Sequence, residues 1–171
     1  MAVGKRIVTL EGESVELEGT GVGVGDKAPD FTVVKQDLET VSFSRFQGNT
    51  CIISSVVSLD TGVCDAQTRR FNEAAADLDE GVRILTISMD LPFAQQRWCG
   101  AKDVDRMLVF SDHRLGSFGK AYGLLLKDMR LLARAVFVVD PAGVLRYSEI
   151  VKEVTDHPDY DGCLEAAREF V

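Results

Sequence analysis

The stretch that decides the fold is residues 51–89, CIISSVVSLDTGVCDAQTRRFNEAAADLDEGVRILTISM. Cys51 to Val57 is an almost purely apolar and hydroxyl-bearing run, as expected of a strand buried on both faces. After the turn Leu59–Cys64, the residues Phe71, Ala74, Ala75 and Leu78 recur at i, i+3, i+4 and i+7. Arg69, Arg70, Glu73 and Asp77 fall elsewhere on the surface, so the spacing predicts an amphipathic helix. Gly81 is expected to stop it, and Val82 to Met89 reads as the next strand. Strand, helix and strand in succession belong to an α/β fold.

The alternation continues on both sides. Upstream, Ile7–Leu10 and Val15–Leu17 flank a Glu-Gly-Glu-Ser turn and predict an N-terminal β-hairpin. Gly19 to Gly25 holds four of the 15 glycines and reads as a flexible connector. Phe31–Val34 has strand character, and Phe43–Phe46 suits one helical turn. Downstream, Pro92 can open a short helix ending near Gly100. Met107–Phe110 reads as a strand, Leu115–Tyr122 as a helical segment and Ala133–Val139 as a strand. Asp140-Pro141-Ala142-Gly143 has Pro and Gly where a type I turn wants them, so Val144–Ser148 should pair back antiparallel. Tyr160, Cys163, Leu164, Ala167 and Val171 mark a final amphipathic helix. The expectation is one domain over residues 1–171: a mixed central sheet flanked by helices, with residues 1–18 as a hairpin extension.

Composition narrows the function. Nineteen basic against 27 acidic side chains give a net charge of −8 in 171 residues. That argues against a nucleic-acid binder and against an anionic membrane surface. No uncharged apolar run approaches the ~20 residues of a membrane span, and Ile7–Leu10 is too short for the core of a signal peptide. A cytoplasmic protein is expected. Four cysteines, Cys51, Cys64, Cys99 and Cys163, are too sparse for a disulfide scaffold and form no CxxC. With only His113 and His157, no metal-ligand spacing is written either, and each thiol is inert core or reactive.

Cys64 is the chemical candidate. It follows the buried strand and lies in the first turn of the helix, where unpaired amides and the positive end of the dipole favour a thiolate. Asp60 or Thr61 can cap that helix. The Thr61 hydroxyl, three residues back, could also donate to the sulfur. Asp60 and Asp65 act the other way, so a cation is needed from elsewhere in the fold. Arg134 is a candidate, since it begins an apolar strand where a charge is expensive unless paired. Two plainer readings stay open: a satisfied buried thiol at Cys64, and an arginine that snorkels at a strand end. Cys99 lies at the end of a short helix, where fraying is cheap. Cys51 and Cys163 read as packing residues.

The stretches Ser58–Asn72 (SLDTGVCDAQTRRFN), Ser88–Ala101 (SMDLPFAQQRWCGA) and Leu131–Asp140 (LLARAVFVVD) carry a resemblance. Together they resemble the bacterial thiol peroxidases, the Tpx class of atypical 2-Cys peroxiredoxins, over nearly the whole chain. The resemblance implies a thioredoxin-like fold, a homodimer, and reduction of hydrogen peroxide and organic hydroperoxides. Carried over by position, Cys64 is the peroxidatic nucleophile, Thr61 its hydroxyl partner, Arg134 the active-site cation and Cys99 the resolving thiol. It further implies an intramolecular Cys64–Cys99 disulfide, recycled by thioredoxin, with no metal or other cofactor. One position departs from the pattern. Peroxiredoxins carry PxxxTxxC, and seven residues before Cys64 stands Val57. Either Val57 replaces the proline, or the proline was lost beside a Ser54-Ser55 duplication. A slower peroxidase is expected in either case. The rival readings are a non-catalytic redox sensor or partner-binding module using the same disulfide, and a Cys-His hydrolase using His113 or His157.

Overall fold

The computed structural model describes residues 5–102 and 107–171. The first four residues of the expected 1–18 hairpin segment, and residues 103–106, lie outside the described residues. Two sheets organise the chain. The larger is built on β5 (Thr50–Ser55), in which every residue is buried. It runs parallel to β6 (Val82–Ser88) and antiparallel to β10 (Ala135–Val139). From β6 the sheet continues to β7 (Leu108–Ser111), β3 (Thr32–Val34) and β4 (Thr40–Ser42). From β10 it ends in β11 (Leu145–Ile150), giving the order β11-β10-β5-β6-β7-β3-β4. The parallel pairs β5–β6 and β6–β7 are bridged by α1 (Gly62–Ala74) and α2 (Pro92–Lys102). Helices α3 (Ser117–Tyr122) and α4 (Tyr160–Glu169) complete the flanking layers. The fold is a mixed thioredoxin-like α/β sheet flanked by helices.

The two faces of β10 show the layering. The Phe137 ring meets Phe118 and Tyr122 of α3, with centroids 6.4 and 5.1 Å away. Arg134, of the parity of Val136 and Val138, reaches instead to α1. There α1 and α4 meet edge to face through Phe71 and Tyr160, 5.6 Å apart. Among the described residues, no helix is long and apolar enough to cross a membrane.

The smaller sheet contains the hairpin of β1 (Arg6–Leu10) and β2 (Glu13–Glu18). Its two-residue turn places Glu11 at φ +51° and Gly12 at φ +84°, the left-handed pair that matches strand twist in tight hairpins. β2 then pairs with β8 (Leu125–Leu126), which pairs with β9 (Leu131–Leu132). The short strands β4, β8 and β9 have no counterpart in the sequence reading. Arg6 packs onto Gly123, the left-handed residue that ends α3 at φ +67°. The backbone approach is closest at Gly19, at φ +121°, where a Cβ would lie 2.5 Å from the Lys120 carbonyl and 2.7 Å from Gly123 Cα, so glycine lets the chain after the hairpin pass over the end of α3.

Some predicted boundaries move. The helix begun at Gly62 does not run on to Gly81. Its last turn tightens into a 3-10 turn at Ala75–Asp77, and Leu78 is already extended. The Gly81 amide bonds to Asp79 Oδ1 in the following turn. β5 stops at Ser55, two residues short of Val57, though Val56 and Val57 stay buried. Its pairing with β6 and β10 carries no bulge, so the Ser54-Ser55 pair adds no extra residue within the strand.

Candidate active site

Cys64 occupies the first turn of α1, three residues past the N-cap Thr61, and is wholly buried. The turn before it is held from outside the helix. Asp90, just after β6, accepts from Ser58 Oγ at 2.7 Å and from the Leu59 amide at 2.8 Å. Thr61 caps α1 through its backbone, its carbonyl accepting the Asp65 amide at 2.9 Å. Its hydroxyl, however, donates to the Ser58 carbonyl at 3.0 Å and makes no capping bond. The tight turn Ser58–Thr61, closed by the Thr61 amide on Ser58 O at 3.1 Å, puts that carbonyl within easier reach than the sulfur.

The structure joins Cys64 and Arg134, which lie 70 residues apart. Arg134 leaves the end of β9 and enters β10, with 2% of its surface exposed. Its Nη2 donates to Cys64 Sγ at 3.3 Å, its Nη1 to Gln67 Oε1 at 2.8 Å and its Nε to the Val154 carbonyl at 2.8 Å. Three sides of the guanidinium plane are therefore fixed. Among the described residues no carboxylate forms an ion pair with it. A buried cation needs a counter-charge, and the group in hydrogen-bond reach able to become one is the Cys64 thiol. The snorkelling reading of Arg134 is set aside by this geometry.

Gln67 was missed in the sequence. It is fully buried one turn after Cys64, and its Nε2 donates to Ser54 Oγ of β5 at 2.7 Å. The signal was present: Gln67 and Thr68 lie on the helix face that buries Cys64 and Phe71. A polar side chain on an apolar face requires a partner. Thr68 finds one in the Cys64 carbonyl at 2.8 Å. Tyr160 also stands within electrostatic reach of Cys64 and Arg134. Its phenol is pushed up chiefly by burial and also by Cys64, against the lowering effect of Arg134 and Arg70. The sequence reading had placed it only as a packing residue of the last helix.

Cys99 is held apart from this cluster. It lies near the C-terminal end of α2, partly exposed, in a groove lined by Lys35, Gln36, Gln96 and Met107. Its sulfur accepts from Gln36 Nε2 at 3.5 Å. Burial pushes its thiol up, and the Gln36 bond offsets part of that. The neighbouring Trp98 is buried and donates Nε1 to Asp65 Oδ1 at 3.0 Å, tying α2 to the first turn of α1. Cys51 and Cys163 are both buried, and burial lifts each thiol to about 12. Cys51 borders a cavity of about 240 Å³ at the far end of β5, remote from the Cys64 turn. His113 bonds to Ser111 Oγ and His157 to Tyr160 Oη, so neither is paired with a thiol.

Comparison with known proteins follows the same lines. The sequence model of the redoxin family matches residues 23–164. A thiol peroxidase of Bacillus subtilis is 54% identical over 164 residues, covering 96% of this chain and 98% of that protein. A thiol peroxidase of Listeria monocytogenes is 53% identical over 161 residues, covering 94% and 97%. Among solved structures, a peroxiredoxin-like protein from Aquifex aeolicus superposes with a TM-score of 0.91 at 38% identity, covering 97% of this chain and 98% of that one.

Proposed function

From the premise that this chain belongs to the redoxin family, and within it to the thiol peroxidases, we propose that Cys64 is the peroxidatic nucleophile, with Arg134 as its cation and Cys99 as its resolving thiol. The chain is a thiol-dependent peroxidase, an enzyme and not a passive redox sensor. The observation that carries the residue assignment is the buried Arg134 guanidinium, 3.3 Å from Cys64 Sγ with no carboxylate partner among the described residues.

In the first step the Cys64 thiolate attacks the terminal oxygen of a hydroperoxide. The O–O bond breaks, the distal oxygen stays on sulfur as a sulfenic acid, and the other oxygen leaves and takes a proton as water or an alcohol. Arg134 stabilises charge at the sulfur and on the departing oxygen from a fixed position. Thr61 takes part as the hydroxyl partner of the peroxide. Its place in the exposed turn before α1 supports that role, provided the hydroxyl leaves the Ser58 carbonyl when substrate arrives. In the second step Cys99 attacks the sulfenic sulfur, forming the Cys64–Cys99 disulfide and releasing water. Each thiol has its own surroundings in the reduced protein, so α2 and the first turn of α1 must unwind locally. One feature supports α2 as the yielding element. Gln95 is fully buried on this helix: its Nε2 donates to Ser88 Oγ at 3.0 Å and to the Phe110 carbonyl at 2.7 Å, while its Oε1 has no hydrogen-bond partner among the described residues. That oxygen gains a partner when the helix opens to water, which offsets part of the cost of breaking the two Nε2 bonds.

In the third step a dithiol reductant, thioredoxin in this reading, returns both cysteines to thiols by exchange. The enzyme acts in the cytoplasm as a homodimer. Exposed Leu115 and Met129 support the dimer, since they lie on two turns tied by Arg130 to the His113 carbonyl at 2.9 Å. The test is intact mass after one equivalent of hydrogen peroxide. The parent should lose two hydrogens and give a Cys64–Cys99 peptide. Cys99→Ser should gain one oxygen, and Cys64→Ser should stay unchanged. A disulfide involving Cys51 or Cys163 would overturn the cycle.

A further inference from the structure

The N-terminal hairpin lies outside the peroxidase chemistry so far described, yet hydrogen bonds lead from it to the active-site cation. The Thr9 amide of β1 donates to the Lys152 carbonyl at 2.8 Å, and the Val154 amide donates to the Thr9 carbonyl at 2.7 Å. These bonds form a short parallel bridge between Thr9 and Glu153. The Val154 carbonyl, thus held, accepts Arg134 Nε at 2.8 Å. Glu153 closes the bridge with its side chain. Its carboxylate accepts from Thr9 Oγ1, from the Glu11 amide at 3.0 Å and from the Gly12 amide at 3.2 Å. It also accepts from the Thr155 amide at 3.2 Å and the Thr155 hydroxyl at 2.7 Å. One carboxylate therefore ties the hairpin turn to the loop after β11. The same small sheet approaches Arg134 from its other side. β9 ends at Leu132, the Ala133 amide bonds to the Leu124 carbonyl at 2.8 Å, and the Arg134 carbonyl accepts the Val151 amide at 2.9 Å.

We infer that Glu153 is a positioning residue for the peroxidase reaction, clamping the hairpin to the 151–155 loop so that the Val154 carbonyl aims the Arg134 guanidinium at Cys64. The inference rests on the reading of Arg134 as the cation that acts on Cys64. Its physical logic is directional. Arg134 has three donor sides, and Gln67 and Cys64 sit together on one helix. Val154 is the anchor that comes from elsewhere in the chain, and it fixes the rotation of the plane. A guanidinium freed on that side could still touch the sulfur, but no longer in one orientation. Catalysis by preorganised donors depends on that fixed orientation. The bonds at Glu153 also hold its carboxyl well down, to about 2, led by Thr9 and Thr155, so the clamp stays charged at every working pH.

The test is a double-mutant cycle on the full chain, reading the rate constant for Cys64 oxidation by hydrogen peroxide. Glu153→Gln keeps the size of the side chain but replaces one carboxylate oxygen, an acceptor, with a donor group. It should slow oxidation about fivefold, a typical coupling between residues of one network. The same change in an Arg134→Met background should add no further slowing. An unchanged rate in Glu153→Gln overturns the inference, and so does an equal fold-loss in both backgrounds, which would mark a merely structural role. If Arg134→Met itself oxidises at the parental rate, the underlying reading of Arg134 falls, an outcome distinct from a silent Glu153→Gln. Should Glu153→Gln fail to fold, Thr9→Val removes one donor from the clamp and takes its place in the cycle, with the same two results overturning the inference.

Discussion

Around Cys64 the buried polar side chains are paired with one another: Arg134 with Gln67, Gln67 with Ser54, and Thr68 with the Cys64 carbonyl. Around Cys99 the holding is thin. The sulfur has one long bond from Gln36, and one turn before it Gln95 holds the sheet by its Nε2 while its Oε1 has no partner among the described residues. Phe93, at the start of that helix, is 63% exposed. The two thiols thus face different physical demands. A nucleophile that must meet a small oxidant in one geometry is set in a satisfied, rigid network. A thiol that must travel is itself held by one long bond, near the end of a helix where fraying is cheap. The buried Trp98–Asp65 bond connects the two regions and latches the loose one to the rigid one, with an exposed Arg97–Asp60 ion pair at 4.0 Å beside it.

The sharpest way to break the comparison is to remove each sulfur in turn. Cys64→Ser should abolish peroxide turnover. Cys99→Ser should keep the first oxidation but lose thioredoxin-dependent turnover and progress to sulfinic acid, which mass spectrometry reads directly. Next comes Arg134→Met, expected to slow Cys64 oxidation by ~10²-fold or more as a preorganised donor is lost. It should also leave Gln67 Oε1 and the Val154 carbonyl short of a donor, a cost of about 1–3 kcal/mol each that thermal unfolding would report. Trp98→Phe cuts the latch. Loss of that bond weakens α2 by about 1 kcal/mol, so disulfide formation should speed about fivefold while Cys64 oxidation stays at the parental rate. Val57→Pro works on the rigid side. The Val57 amide donates to no described residue and β5 ends before it, so proline costs no ladder bond and stiffens the turn. A rise of about two- to threefold in Cys64 oxidation is expected, an effect of about half a kcal/mol. An unchanged rate in a folded variant would show that proline is not the limiting feature.

The smallest effect is in pH. Burial raises the Cys99 thiol, so at a given pH less of it is thiolate than for a thiol in the usual range. Iodoacetamide labelling of Cys99 in the reduced protein should therefore be slow at pH 7 and rise as pH climbs past that range. Cys51 and Cys163, lifted to about 12, should stay unlabelled until the protein unfolds. Prompt labelling of either at pH 8 would contradict the inert reading of both.

The strand-turn-helix at Cys51–Ala74 was legible because a wholly apolar run and a helical repeat are local patterns set by burial. Cys64 and Arg134 were both visible as candidates, but their meeting was not, since nothing local reports a contact 70 residues long. The Val154 carbonyl has no sequence signature at all, because every residue carries one. Thr61 shows the opposite failure. Its spacing to Cys64 suggested a hydroxyl on sulfur, yet the turn offers a nearer acceptor at Ser58. β8 and β9 were unreadable for want of length. Two residues each within the leucine-rich 124–132 segment show no period, and their pairing is dictated by the hairpin they join.

Trp98 is the single tryptophan of the chain, 6% exposed and bonded to the helix of the peroxidatic thiol. That gives the molecule an optical gauge of its own state. Folded, the indole emits from a dry setting beside a carboxylate. When α2 opens to deliver Cys99, the indole must enter water, and its emission should shift to the red. Every turnover would then be recorded twice, once as a sulfur oxidation and once as a change of colour, with no label added. The interval between the two signals would time the journey of Cys99 directly.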